Sequence, residues 1–286
     1  EPIPGIEFEY RLAATYLPTV TVDEVSEAAR RLITDENRVV LAVAPEKKDG
    51  PAPTLESLRQ AMARGMAAPV EPWRDATEGR TLVENPPAGG SVTATRTLDD
   101  LGVTVLTLSN GVEVWLKPTD FKSDQVVFSA YARGGTSLAP EAEYHEAELA
   151  TALASVGGFG GLSPVDLAKL LSGRIASASP RLGPSTQEIS GSATPRDLET
   201  ALQLNYLAFT APNLTAEAFD LLKRRLVAAL ENQAENPRSV VAERVNLVNT
   251  SNHYSAKLLT VADLPGLKFE SMQRFYRERF ANAADF

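Results

Sequence analysis

Asn110-Gly111 stands between two stretches in which apolar and polar residues alternate, 103–108 and 112–116. A pair that tolerates positive φ, flanked by period-two segments, specifies a β-hairpin. That one feature excludes an all-helical bundle, and the order of the elements after it excludes a doubly wound parallel sheet. Residues 125–132 read as another strand, ended by Gly134-Gly135. Residues 141–156 read as an alanine-rich helix, followed by the loop Gly157-Gly158-Phe159-Gly160-Gly161. Ser163-Pro164 opens a helix to about 172, with Ser as cap and Pro at the first helical position. Residues 174–182 and 186–193 read as two strands. Thr194-Pro195 opens a helix to about 209, Thr215 caps one to about 233, and 237–249 and 270–280 read as two more. Strands, helix, strands and then helices, with hairpins, predict an α+β fold: an antiparallel or mixed sheet with helices packed on it.

Upstream, residues 5–16 read as a helix that Pro18 stops, with Ile6, Tyr10, Ala13 and Leu17 near one face. Residues 22–33 read as a second helix. Thr21 and Glu24 have capping-box spacing, and Val22, Val25, Ala29 and Leu32 keep the 3.6 period. The continuous apolar run 38–44 reads as a buried strand. Residues 45–94 differ in composition, with six prolines from Pro51 to Pro87 and glycines at 50, 79, 89 and 90. One helix fits there, 55–66. The rest reads as a connector that Trp73 pins to a surface. The helix and turn of 22–39 also echo the end of the chain, Ile33 falling on Phe280 and Val39 on Phe286. The echo divides the chain into 1–45, the tail of one repeat; 46–97, a Pro/Gly-rich linker with one helix; and 98–286, most of a second repeat. This second repeat stops before its last strand, so an exposed sheet edge or a displaced terminus is expected there. A start at Glu1-Pro2-Ile3-Pro4, with neither Met nor leader, reads as a processed or cut-out piece.

Composition narrows the functions. Among 286 residues, 28 basic against 37 acidic side chains give a net charge of −9. Nucleic-acid binders and proteins that dock on anionic lipid need the opposite balance. The chain has no cysteine, which excludes thiol catalysis, disulfides and thiolate metal sites and fits an oxidising compartment. No apolar run approaches the ~18 residues of a membrane span.

The chain has two histidines that could ligate zinc, His145 and His253. His145-Glu146-Ala147-Glu148-Leu149 starts like a zinc helix. Both helical zinc patterns need a second His four residues on, so that both imidazoles share a face, and Leu149 stands there. His145 therefore reads as a solvated helix residue and His253 as a loop residue. Ser163 lies in Gly-Leu-Ser-Pro and makes no nucleophile elbow. A Ser–His–Asp triad would have to use one of the two histidines, and nothing favours it. The glycine loop follows a helix and lacks the Gly-Lys-Ser/Thr of a phosphate loop, so it reads as a helix-terminating turn, with a peptide-binding backbone surface as the lesser reading. Glu141, Glu143, Glu146 and Glu148, like Asp99-Asp100, read as solvated surface. No catalytic residue and no metal ligand is assigned, and the substrate-binding residues stay open.

Several segments, taken in order, resemble one family. The hairpin Thr107-Leu-Ser-Asn-Gly-Val-Glu-Val-Trp-Leu-Lys-Pro118 is similar to the opening hairpin of the insulinase/pitrilysin zinc peptidases. Residues 126–135 resemble their next strand and its glycine turn. Residues 190–204 resemble the strand-then-helix of their C-terminal repeats, and the first ~45 residues the end of a preceding repeat. The resemblance implies four homologous α+β repeats in a parent protein, the first carrying an inverted zinc motif, His-x-x-Glu-His. It implies two halves that clasp a chamber in which unfolded peptide is cut. This chain would be the end of the second repeat, the linker between halves and most of a silent third repeat. Zinc would sit in the parent's active repeat and none in this chain. The implied partners are a peptide substrate and the catalytic N-terminal half, and the implied location is periplasmic or secreted, in a bacterium. The helix that would carry the zinc motif is 141–156, which has no His pair. Substrate contacts are expected at the sheet edge or the glycine loop. Two other readings remain: a scaffold protein built on the same repeat, and an independent enzyme with an unrecognised serine or carboxylate site.

Overall fold

The computed structural model describes residues 4–32, 34, 36–43, 53–69, 71 and 77–286. The chain divides into two compact units, Glu1–Trp73 and Arg74–Phe286.

The first unit holds α1 (Ile6–Tyr16), α2 (Val22–Leu32) and α3 (Leu55–Ala67). Their ends match the sequence closely. Gly5 stands at the start of α1, and a 3-10 turn at Leu17–Thr19 ends it. The Thr21 N–H donates to Glu24 Oε2 at 2.8 Å and the Glu24 N–H to Thr21 Oγ1 at 3.2 Å, a reciprocal cap. The Thr21 backbone N–H, with its hydroxyl, holds the Glu24 carboxyl below its ordinary range. Thr54 and Ser57 cap α3 in the same way. No described residue of this unit is buried.

The run 38–44 corrects the sequence reading. Residues 38–43 form no strand, and Val39, Leu41 and Val43 are 91%, 82% and 87% exposed. A buried strand needs neighbours to hydrogen-bond on both sides, and no described residue of this unit is in a strand. Ile33, Ala44 and Trp73 lie outside the described residues. With them go one leg of the internal echo and the pinning role of Trp73.

The second unit holds two antiparallel three-stranded sheets. In the first, β1 (Val92–Leu98), β2 (Val103–Leu108) and β3 (Glu113–Leu116) lie in the order β1-β2-β3. Gly111, at φ 88°, turns the chain between β2 and β3, and Val105 pairs with Trp115 across it. β1 falls inside the stretch that its prolines and glycines marked as linker. Its sequence, Val-Thr-Ala-Thr-Arg-Thr-Leu, suits an exposed edge strand: Arg96 interrupts the alternation of Val92, Ala94 and Leu98 with three threonines.

In the second sheet, β4 (Val126–Arg133), β5 (Ala176–Leu182) and β6 (Thr186–Ala193) lie in the order β4-β6-β5. Pro180 lies on β5, an edge, where a missing N–H costs no ladder bond. Gly191 on β6 lets the Phe128 ring lie across the central strand; a Cβ there would run into that ring and into the Ser177 carbonyl.

Among the described residues six α-helices complete the unit: α4 (Tyr144–Gly157), α5 (Pro164–Leu170), α6 (Leu198–Thr210), α7 (Ala216–Glu235), α8 (Pro237–Asn249) and α9 (Phe269–Arg279). α4 and α6 pack on the sheet, and α7 and α9 pack on α4. Ala147, Ala150 and Ala154 are fully buried, so their small side chains let neighbouring elements approach α4 closely. Leu153, Ile189, Met272, Tyr276 and Phe280 fill the core around them. The Tyr276 hydroxyl, too buried to ionise readily, donates to the Ala208 carbonyl at 2.9 Å. Phe286 packs edge-on against Phe209 with centroids 5.0 Å apart and stacks on Phe280, so this residue is held in place. The fold class is α+β, with every strand pairing antiparallel.

Candidate functional site

α4 comes after the strand and glycine turn that the hairpin pattern anticipates. Gly134 and Gly135, both at positive φ, reverse the chain after β4, and Gln187 Oε1 accepts from the Gly135 N–H at 3.2 Å. A 3-10 turn at Glu141–Glu143 then leads into α4.

Two of the glutamates read as solvated surface are ties to α9. Glu146 is 5% exposed, and its Oε1 accepts the Lys268 N–H at 3.1 Å. Glu143 accepts from Ser271 Oγ at 3.2 Å and pairs with Arg274. These carboxylates hold the start of α4 against the start of α9. Their partners lie more than a hundred residues away, so no local pattern announces them. Glu141 is exposed, and Asp99 and Asp100 are exposed in a separate 3-10 turn, Asp99–Leu101.

His145 is half-buried and not simply solvated. Its Nδ1 lies 3.0 Å from Glu148 Oε2. That bond raises the imidazole pKa above 6.5 against the opposing effect of burial, with further help from the charges of Glu148, Asp263 and Glu146. Asp263 is held below its ordinary range by the hydroxyl and N–H of Thr260. His253 opens the 3-10 turn Tyr254–Ala256, with Nδ1 2.8 Å from Ser255 Oγ.

The structure brings the two histidines to one end of α4. His145, Tyr144, Tyr254 and His253 form a run of ring contacts, with centroid separations of 6.0, 5.3 and 4.2 Å. Tyr144 has its pKa raised, chiefly by burial. The run is aromatic packing with polar tips, and its imidazoles are engaged by Glu148 and Ser255. Among the described residues, no group of three or more His, Asp or Glu is placed to hold a metal ion. A zinc site of the implied kind does not fit α4, where Leu149 stands in the place of the second imidazole.

Ser163 caps α5: its Oγ accepts the Asp166 N–H and donates to Asp166 Oδ2 at 2.7 Å. The glycine loop is likewise turned inward. Its N–H groups at Gly158, Gly160 and Gly161 donate to the Ala154 carbonyl, the Ala211 carbonyl and Asn213 Oδ1, at 2.8 to 2.9 Å. Asn213 Nδ2 in turn donates to the carbonyls of Gly157 and Leu162, at 3.0 and 2.9 Å. A Cβ at Gly157 would run into the Asn213 carbonyl. Those donors are spent within the fold and cannot cradle a phosphate. Asn213 is the residue that sequence reasoning missed; a single asparagine 52 positions from the loop gives no signal of its own.

No protein-family model matches the chain. A zinc protease PQQL-like protein of Arabidopsis thaliana is 29% identical over 269 residues, covering 92% of this chain and 25% of that protein. The crystal structure of the periplasmic protease PqqL from Escherichia coli is similar with a TM-score of 0.62 at 18% identity, over 99% of this chain and 31% of that one. A peptidase M16 inactive domain from Pseudomonas fluorescens is similar with a TM-score of 0.50 at 18% identity, over 61% of this chain and 43% of that domain. The chain thus spans about a quarter of the curated relative it matches. Over 92% of its length the chain is similar in sequence to that zinc protease PQQL-like protein, and its fold is similar to those of the periplasmic protease PqqL and the peptidase M16 inactive domain.

Proposed function

We propose that this chain is a non-catalytic segment of a zinc-dependent metalloendopeptidase that degrades or processes peptides in a closed chamber. One observation carries the reading. α4 follows a strand and a glycine turn, where the resemblance expects a zinc helix, and Leu149 stands four residues after His145. The similarity to a zinc protease over 92% of the chain supports a peptidase parent. The name of the inactive-domain neighbour supports a silent repeat.

In this reading residues 98–286 are the silent repeat, 1–45 end the repeat before it, and 46–97 link the two. Zinc belongs to another repeat of the parent, which also supplies the general base. This segment closes the chamber and contacts the peptide, and its partners are that peptide and the catalytic N-terminal half. A periplasmic or secreted location, in a bacterium, is supported by the periplasmic PqqL neighbour and by the absence of cysteine. The glycine loop, its donors already spent, is the weaker of the two expected substrate contacts, and a sheet edge the stronger.

The test uses the full-length protein that contains this chain, given an unfolded reporter peptide with and without a zinc chelator. Chelator-sensitive cleavage is expected, together with an inverted zinc motif encoded upstream of Glu1. An intact full-length protein that cuts nothing and carries no such motif would replace this reading with a scaffold built on the same repeat.

A further inference from the structure

The end of α7, α8 and residues 258–262 enclose a groove of about 420 Å³. Leu230, 8% exposed, is its most buried lining residue. Ala234, Val240, Leu258, Leu259 and Val261 supply further apolar wall. This is room for an aliphatic side chain with its neighbours.

The charged residues that line the groove, among those described, are Glu231, Glu235 and Glu243. Glu243 Oε1 accepts the Leu258 N–H at 3.2 Å. Glu231 and Glu235 are exposed and stand four residues apart on α7, a like-charge pair that weakens a helix. They also stand at its C-terminal end, where the helix dipole is already negative, and the last turn carries no basic residue. Neither is ion-paired with a described residue. An apolar groove rimmed by three carboxylates, two of them without an ion-pair partner among the described residues, is complementary to an aliphatic side chain flanked by cations.

We propose that this groove docks a basic peptide segment, one aliphatic side chain entering it while a Lys or Arg on either side meets Glu231, Glu235 and Glu243. The proposal stands on the groove and its charge and does not depend on the peptidase reading.

The test is fluorescence polarisation of a labelled Lys-Leu-Lys-Gly-Lys-Leu-Lys peptide against the whole 286-residue chain. One twin peptide carries Glu for Lys, and another Gly for Leu. Saturable binding of the first peptide is expected, with none of the acidic twin and about tenfold weaker binding of the Gly twin. The double variant Glu231→Gln/Glu235→Gln changes exposed side chains only. It should weaken the first peptide on the order of tenfold, as should added salt. Ala262→Trp, which fills the groove and leaves the carboxylates, should bring the Leu peptide down to the level of its Gly twin. Equal binding of the Leu and Gly peptides would mean diffuse attraction to a chain of net charge −9, and would overturn the groove. No binding, or binding unchanged in both variants, would overturn it as well.

Discussion

α2 and α9 are the two helices that the internal echo superimposes, and they behave oppositely. α2 begins on the reciprocal Thr21–Glu24 cap and carries Glu27 within 3.1 Å of Arg31, one turn away. Yet its described side chains, Val22 and Leu32 among them, are all unburied. α9 begins at Lys268 with no side-chain cap and buries Ser271, Met272, Phe275 and Tyr276. Good ends make a helix, but they do not give it a core. α9 is held by α4, through Lys268, Ser271 and Arg274 on two glutamates and through the packing around Leu153. Most helical stability in a protein comes from such packing rather than from local preference.

Matched substitutions sharpen the contrast. The echo places Val25 on Met272. Met272→Ala, at a fully buried position, should cost about 3 kcal/mol in chemical denaturation of the second unit. Asn213→Ala should cost about 2 kcal/mol, since it removes three hydrogen bonds that close the glycine loop. Faster amide exchange at Gly161 would accompany it.

A third test is pH. Because the pKa of His145 is raised on folding, its bond to Glu148 stabilises the fold fully below the ordinary value of 6.5 and ceases to do so as pH rises through the folded value. Glu148→Gln should therefore lower stability by a few tenths of a kcal/mol in mildly acidic buffer, given how exposed the carboxylate is. The difference should vanish at alkaline pH, and a loss independent of pH would contradict the pairing. Val25→Ala, at an exposed position, should stay within about 0.5 kcal/mol at any pH. A loss as large as that of Met272→Ala would break the comparison by showing that α2 is packed in solution.

The features legible in the sequence were those that neighbouring residues decide. Thr21, Ser163, Thr194 and Thr215 each cap the helix or turn they precede, and Asn110-Gly111 turns the hairpin. The apolar run 38–43 misled because composition records a liking for burial and not the presence of a partner. β1 was missed for the converse reason: in an exposed edge strand with three threonines and an arginine, the alternation of Val92, Ala94 and Leu98 is too weakly apolar to stand out from the linker around it. Within the site, the missing second histidine on α4 was plain from spacing alone. The inward roles of Glu143, Glu146 and Asn213 were not, because each depends on a partner 51 to 131 residues away in the chain.

The most direct measurement is turnover of an unfolded reporter peptide by this 286-residue chain alone, in zinc-containing buffer, with the full-length protein assayed beside it. The account predicts that the chain is inert while the full-length protein cleaves. Cleavage by the chain alone would contradict it, and would mean that residues acting as caps, ties and packing form an active site.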